Sequence, residues 1–282
     1  MRIVVYDHDM VLSQLPDRDP DAHKGDFGRI LLLCGSVGYT GAAALSAMGA
    51  LRSGSGLVYV GVPSAIYTIE AIKLTEAMVF PLPDSNGMVS SEAIPIVSQR
   101  LDNMDAVLMG PGMGCSEGGS KLIRYVLEHY RGPVILDADG INMIAQHKDV
   151  LRGRAYPTVL TPHPGEFARL GGTLTQNRAE DACNMARELN CIVLLKSHET
   201  VISDGQHCIL TQTGNPGMAT GGSGDVLAGM ITSLIGQGIP CLEAVACGAW
   251  LAGAAGDLCA REIGQYGMLP TDVLEVLPRL MK

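Results

Sequence analysis

An α/β fold, with a doubly wound and mainly parallel sheet, helices on both faces and an antiparallel hairpin at one edge, is what this sequence predicts. Three observations carry that expectation. Runs of β-branched and aliphatic residues alternate with Ala- and Leu-rich helical stretches along most of the chain. The interior must be aliphatic, because 47% of the 282 residues are hydrophobic while 35 glycines stand against three Phe and one Trp. Such a composition suits buried parallel strands cut by tight turns. After Lys196 the rhythm changes to two short strands around a glycine.

The first cycle opens at Ile30, where RILLLCG reads as a buried strand and Gly41 to Leu51 as the helix after it. Further strands are expected at 57–62 (LVYVGV), 106–110 (AVLMG), 134–139 (VILDAD), 158–162 (TVLTP) and 191–196 (CIVLLK). Helices are expected near 64–72, 91–101, 119–130, 140–146 and 175–190. Right-handed crossovers then place helices on both faces. TVISD and HCILTQ, separated by Gly205, form the edge hairpin, and the chain from Gly224 onward is mainly helical. The segment before Gly25 is too short for a domain of its own, and no repeat or low-complexity linker interrupts the rest, so residues 1–282 are expected to form a single domain.

The formal charge of −9 is spread along the chain without a basic stripe, which disfavours nucleic acid as a partner. No two of the eight cysteines form a CxxC pair, so reduced, structural thiols are expected. The N-terminus lacks a basic flank followed by a long apolar stretch, and apolar runs are broken by Gly or charge before the roughly 18 residues of a membrane span. A cytoplasmic protein without membrane contact is the expectation.

In an open α/β sheet, ligands gather at the carboxyl ends of the strands. The richest segment is GNPGMATGGSGDVLAGMI, residues 214–231, where five glycines and a proline precede an apolar helix expected to begin near Asp225. Glycines let successive N–H groups converge, and a helix start adds free N–H groups and a positive dipole end, a combination that binds anions. Asp225 at its edge could take a proton from a hydroxyl during phosphoryl transfer, a reaction governed by positioning that needs no raised pKa in its base. The competing reading is that Asp225 is a helix N-cap. A Walker A loop is excluded because no Gly-Lys dipeptide occurs.

NPGMATGGSGDVLAG resembles the nucleotide and anion-hole motif of ribokinase-like NAD(P)H-hydrate dehydratases. HKGDFGRILLLCGSVGYTGAAALSAMGALRSGSGLVYVGVP, VLMGPGMG, VILDADGIN, LTPHPGEFARL and VLLKSHETVISDG are similar to further signatures of that family, in its order, from about His23 onward. The resemblance implies a ribokinase-like fold and a metabolite-repair reaction. ADP or ATP, with Mg2+, phosphorylates the 6-hydroxyl of hydrated NADH or NADPH, and loss of phosphate restores the dihydropyridine. Asp225 would activate the hydroxyl, with Gly222, Ser223 and Gly224 as the anion hole and Gly224 also approaching the nucleotide. Lys196, Ser197, His198, Glu199 and Thr200 would surround its adenosine part. Ala42, Gly112 and His163, together with Asp225, would line the hydrate pocket, while Asn142 and Glu166 would order magnesium through water. The family resemblance also implies a homo-oligomer, and a closing helix at TDVLEVLP.

Plainer readings stand beside these. His163 lies between two prolines in a rigid turn, Lys196 could be a solvated strand end, and one of Asp137 and Asp139 could cap the helix starting at Gly140. Two other functions remain open: a ribokinase-like kinase of a vitamin precursor of the hydroxyethylthiazole or hydroxymethylpyrimidine type, and a non-catalytic nucleotide sensor, which would not need Asp225. A Rossmann dehydrogenase is a weaker reading still, because GSVGYTG lacks GxGxxG spacing and the suitable acidic residue about 20 residues later is missing.

Overall fold

The computed structural model describes residues 3–282. The chain runs through β1 (Ile3–Val5), α1 (His8–Gln14), β2 (Arg29–Leu33), α2 (Thr40–Arg52), β3 (Leu57–Pro63), α3 (Tyr67–Lys73) and β4 (Met78–Leu82). A small ladder, β5 (Asp84–Ser85) with β6 (Met88–Val89), leads to α4 (Ile94–Leu101), β7 (Ala106–Met109), α5 (Glu117–His129) and β8 (Val134–Leu136). Then come α6 (Asp139–Ile144), α7 (Lys148–Arg152), β9 (Thr158–Leu160), α8 (Pro164–Arg169), α9 (Arg178–Leu189) and β10 (Ile192–Leu195). β11 (Thr200–Ser203) and β12 (Cys208–Thr211) form the hairpin, and α10 (Ser223–Gly236), α11 (Cys241–Glu262) and α12 (Pro270–Val276) complete the chain.

Ten strands form one sheet in the order β4-β3-β2-β7-β8-β9-β10-β11-β12-β1. Neighbours are parallel except around β11, which runs antiparallel to both β10 and β12. Winding proceeds outward from β2 to β4 and then returns to β7 on the other side of β2, so the topological switch lies between the carboxyl ends of β2 and β7. Along β2 the side chains alternate: Ile30 and Leu32 join the core that includes residues of α2, α10 and α11, and Leu31 and Leu33 the core under α4, α5 and α9.

The expected rhythm is present, with two additions. β4 is a further edge strand, and Pro81 within it is tolerated there because edge positions leave N–H groups without a ladder partner. At the other edge the hairpin lies one strand inward from its expected place, because β1 pairs in parallel with β12 and covers it. All eight cysteines are free thiols; Cys115 alone among them is exposed.

α11 is long and apolar enough to cross a membrane, with a mean hydropathy of 1.2 over its most apolar window, contrary to the expectation that every apolar run is broken early. The small residues Gly248, Gly253 and Gly256 and their alanine neighbours do not interrupt the helix. Most of that window is buried in this fold, where α11 packs on α10, α12 and α1.

α2 and α10 run side by side in the same direction, from Leu45 beside Gly222 to Ser53, whose carbonyl accepts from Gln237 Nε2. Their contact is made by backbone. A Cβ at Gly49 would lie 2.5 Å from the Val226 carbonyl oxygen, and one at Gly229 would lie 2.0 Å from that of Ser46. Only glycine permits this approach, and it fixes the head of α10 at the carboxyl end of the sheet.

Candidate functional site

α10 does not begin with Asp225 as its cap. Its N-cap is Gly222, at φ 101° and ψ −20°, and the first helical residue is Ser223. The left-handed turn at Gly222, packed on Leu45 and Pro270, starts the helix without a side-chain cap. Ser223 N donates to the Thr220 carbonyl at 3.4 Å, whereas the amides of Gly224 and Asp225 find no acceptor among the described residues. The preceding NPG turn is held to α11, since Gly214 N donates to Asp257 Oδ2 at 2.9 Å and Asn215 Nδ2 to Asp257 Oδ1 at 3.0 Å. Free donors at a helix start with the positive dipole end behind them form an anion site.

The Asp225 carboxylate accepts no hydrogen bond among the described residues, which leaves it available to a ligand hydroxyl. Burial pushes its pKa up from 3.8 to about 6; the neighbouring charges of Asp137 and Asp139 add to the rise and that of Lys196 opposes it. The raised value was not expected. It arises because the carboxylate shares a half-buried pocket with a second carboxylate and a single ammonium.

That second carboxylate, Asp137, is the member of the site that sequence reasoning assigned elsewhere. α6 takes Ala138 as its N-cap with no side-chain cap, so neither Asp137 nor Asp139 caps it. Ala138 has φ 49°, a conformation unfavourable for a residue with a Cβ. It turns the flanking carboxylates to different partners. Asp137 is buried and accepts from Lys196 Nζ at 2.5 Å and Thr161 Oγ1 at 2.6 Å. Asp139 accepts from Gly114 N at 2.9 Å and from Asn142 Nδ2 at 3.4 Å. Lys196 is therefore not a solvated strand end. Its ammonium turns inward, 3.4 Å from where a Cβ on Gly224 would stand.

The remaining expected residues fall into neighbouring groups. Ala42, in the first turn of α2, meets Gly112 across the β2–β7 switch: a Cβ on Gly112 would lie 2.7 Å from that of Ala42. His163 caps α8 by accepting from Gly165 N at 2.9 Å, so Nδ1 is the unprotonated nitrogen, and its side chain is half exposed. Glu166 is buried; it accepts from His163 N at 2.9 Å, and burial raises its pKa. Ser197, His198, Glu199 and Thr200 form the turn from β10 into β11, where Ser197 Oγ donates to the Glu199 carbonyl and Thr200 Oγ1 to that of Ser197 at 3.1 Å.

Asn142 stands apart from Glu166 in its bonding. Its Oδ1 accepts from Arg169 at 2.8 Å, and Glu166 Oε1 lies 3.3 Å from His163 Nε2. Both side chains thus already accept hydrogen bonds from protein donors. Among the described residues no three His, Cys, Asp or Glu side chains converge as a metal cage.

A cleft of about 540 Å3 opens at the opposite, amino end of β8 and β9, between Leu127–Arg131 and Asp149–Tyr156. It contains none of the expected residues. Arg154 there donates to the carbonyls of Leu127, Tyr130, Gly132, Tyr156 and Pro157, tying loops together.

The profile of a family described as NAD(P)H-hydrate dehydratase matches residues 30–279. The chain is 44% identical over 277 residues to a bifunctional NAD(P)H-hydrate repair enzyme of Moorella thermoacetica, covering 96% of this chain and 52% of that one. It thus spans about half the length of the bifunctional relatives it matches. It is 33% identical to an ADP-dependent (S)-NAD(P)H-hydrate dehydratase of Bacillus subtilis, covering 100% of this chain and 99% of that one. Its fold is similar to the crystal structure of an ADP/ATP-dependent NAD(P)H-hydrate dehydratase from Bacillus subtilis co-crystallized with ATP and Mg2+, at a TM-score of 0.85 and 32% identity over 99% of this chain and 98% of that one.

Proposed function

Because this chain belongs to the NAD(P)H-hydrate dehydratase family, which has the ribokinase-like fold, we propose that it converts hydrated NADH or NADPH back to the dihydropyridine at the expense of ADP or ATP. The observation that carries this reading is the unpaired amides of Gly224 and Asp225 beside a carboxylate that no protein group engages. The amides receive oxygens of the moving phosphoryl group, where a fixed dipole is worth more than solvent. Asp225 accepts the proton of the substrate 6-hydroxyl as that oxygen bonds to phosphorus and the nucleotide's bridging oxygen departs. The ring nitrogen's lone pair then expels phosphate, and loss of a proton from the adjacent carbon forms the ring double bond.

Ala42 and Gly112 offer a surface without side chains for close contact with the hydrated ring, and His163 presents its half-exposed imidazole from α8. Ser197 to Thr200 border the adenosine, and Lys196 meets the phosphates. Magnesium, when bound, neutralises phosphate charge, with Asn142 and Glu166 acting through its waters. We further propose that residues 1–282 form one domain of a cytoplasmic homo-oligomer without nucleic-acid or membrane partners.

Hydrated NADH incubated with Mg2+ and either nucleotide, followed at the dihydropyridine absorbance, tests the proposal. The expected result is stoichiometric recovery of absorbance with release of phosphate, abolished by chelation. A stable phosphorylated product of a vitamin precursor, with no recovery from hydrate, would instead identify a kinase, and nucleotide binding without turnover a sensor.

A further inference from the structure

We propose that Asp137 is a positioning residue: anchored by Thr161, its carboxylate holds the Lys196 ammonium beside Gly224, so that phosphate entering the anion hole meets a fixed positive charge. The inference rests on the phosphoryl-transfer reading above and deepens it.

The arrangement follows from the sheet. β8, β9 and β10 are adjacent and parallel, with Leu136 opposite Leu160 and Leu160 opposite Val193. Asp137 and Thr161 therefore leave their strands at the same level, and Lys196 leaves β10 beside them, its amide bonded to the Pro162 carbonyl at 3.0 Å. Thr161 Oγ1 and Lys196 Nζ both donate to the same oxygen, Asp137 Oδ1. The other oxygen, Oδ2, accepts no hydrogen bond among the described residues and lies 3.8 Å from where a Cβ on Gly224 would stand. Both charges of the pair thus border the residue that opens the anion hole.

Stability does not account for this pair. The Asp137 side chain is 2% exposed and that of Lys196 24%, and taking two charges out of water largely cancels their attraction, so an apolar pair would join the strands as well. What the pair supplies is a fixed location. A lysine ammonium on four flexible carbons otherwise samples many positions, and ordering it before the ligand arrives removes that loss from binding. Ala138 supports the same conclusion, since the positive φ between the two carboxylates goes with separate partners for each, Gly114 for Asp139 and Thr161 with Lys196 for Asp137.

The test is a cycle of Asp137→Asn, Lys196→Met and the double variant, each titrated calorimetrically with ADP and with ATP in the presence of Mg2+. Each single change is expected to weaken nucleotide binding by roughly 10- to 100-fold, the range for a charge-assisted hydrogen bond. The double variant should bind no more weakly than Lys196→Met, because Asp137 acts through the lysine. Should Asp137→Asn fail to fold by thermal unfolding, Thr161→Val, which removes the anchor only, is expected to weaken binding about threefold or more.

A second readout separates positioning from structural damage. The charged or titratable groups facing Asp225 are Asp137, Asp139, Lys196 and Cys34. Removing the Asp137 charge should move the acid limb of the turnover profile to lower pH, and removing the Lys196 charge should move it to higher pH. Unchanged nucleotide affinity in Asp137→Asn, or an equal loss in the Lys196→Met background, would overturn the inference. Failure of the wild-type chain to restore dihydropyridine would overturn the proposed function while the binding cycle still decides this one. Absence of nucleotide binding to the wild-type chain would overturn both.

Discussion

Replacing Asp225 by Asn keeps the shape of the side chain and removes the group that accepts a proton, and the structure sets opposite signs for its effects on rate and on stability. Loss of a general base lowers turnover by about 10²- to 10⁴-fold, or about 2.7–5.4 kcal/mol of barrier. For stability, the carboxyl is pushed from 3.8 to about 6 by burial and by Asp137. At 1.36 kcal/mol for each tenfold change in proton affinity, the ionised folded state is disfavoured by about 3 kcal/mol, order of magnitude. A carboxylate in the first turn of a helix is favoured in return by up to ~1 kcal/mol from the dipole. The Asn variant should therefore be more stable by about 2 kcal/mol, raising the unfolding midpoint by roughly 3 °C for a chain of this size. The folded-state pKa is raised, so the penalty on the wild-type protein is fully present above about 6 and gone below 3.8, and the variant's advantage should vanish as pH falls through that window.

Single-turnover experiments recording nucleotide consumption and dihydropyridine absorbance on one sample would measure the rate, and thermal unfolding at pH 7.5 and 4 the stability. Both phosphorylation and absorbance recovery should fall together, with nucleotide binding retained. Near-normal turnover, or a variant less stable by the 0.5–2 kcal/mol typical of a lost cap, would refute the assignment of Asp225 as a base held in an unfavourable environment.

Three further outcomes are expected. In the wild-type enzyme, turnover divided by KM should fall as pH drops through about 6, following protonation of Asp225; a limb near 4 would contradict the shared pocket. Gly222→Ala should cost about 1–3 kcal/mol and weaken nucleotide binding, because φ there is 101° and its Cβ would stand 2.5 Å from Leu45 Cδ1, whereas Gly221→Ala, with no atom within 4 Å, should be near neutral in stability; unfolding curves would compare them. Arg154→Ala, which removes a donor from five carbonyls at the far end of the sheet, of which that of Pro157 keeps the Val134 amide, should lower stability by about 3 kcal/mol or more with little change in turnover by the folded fraction.

Most of the central sheet was legible because its strands are contiguous runs such as RILLLCG and CIVLLK, buried on both faces. The edges were not: Ile3–Val5 has too few residues for a periodic signal, and Met78–Leu82 contains a proline that argues against a central strand. The same division runs through the site. Asp225 could be found because the glycines that define its surroundings are adjacent in sequence. Asp137 could not, because its partners Thr161 and Lys196 directly follow other strands, and only the order β8-β9-β10 brings them together. Local sequence offered a helix cap for Asp137, and the left-handed turn at Ala138 cancels that option. The start of α10 was displaced for a related reason: Gly222, able to adopt positive φ, makes the turn that an Asp side chain would otherwise have been needed to cap.

The bare-backbone contact between α2 and α10 acts as a gauge block. Ala42 rides on the first turn of one helix and Asp225 on the first turn of the other, and the spacing between the helices is set by carbonyl oxygens lying against glycines 49 and 229. No side chain exists at that contact to be trimmed or enlarged, so ordinary substitution has no means of adjusting the interval by small steps. A methyl group on either glycine would shift the Ala42 turn and Asp225 relative to each other, so that two otherwise sound helices would present a mismatched pair.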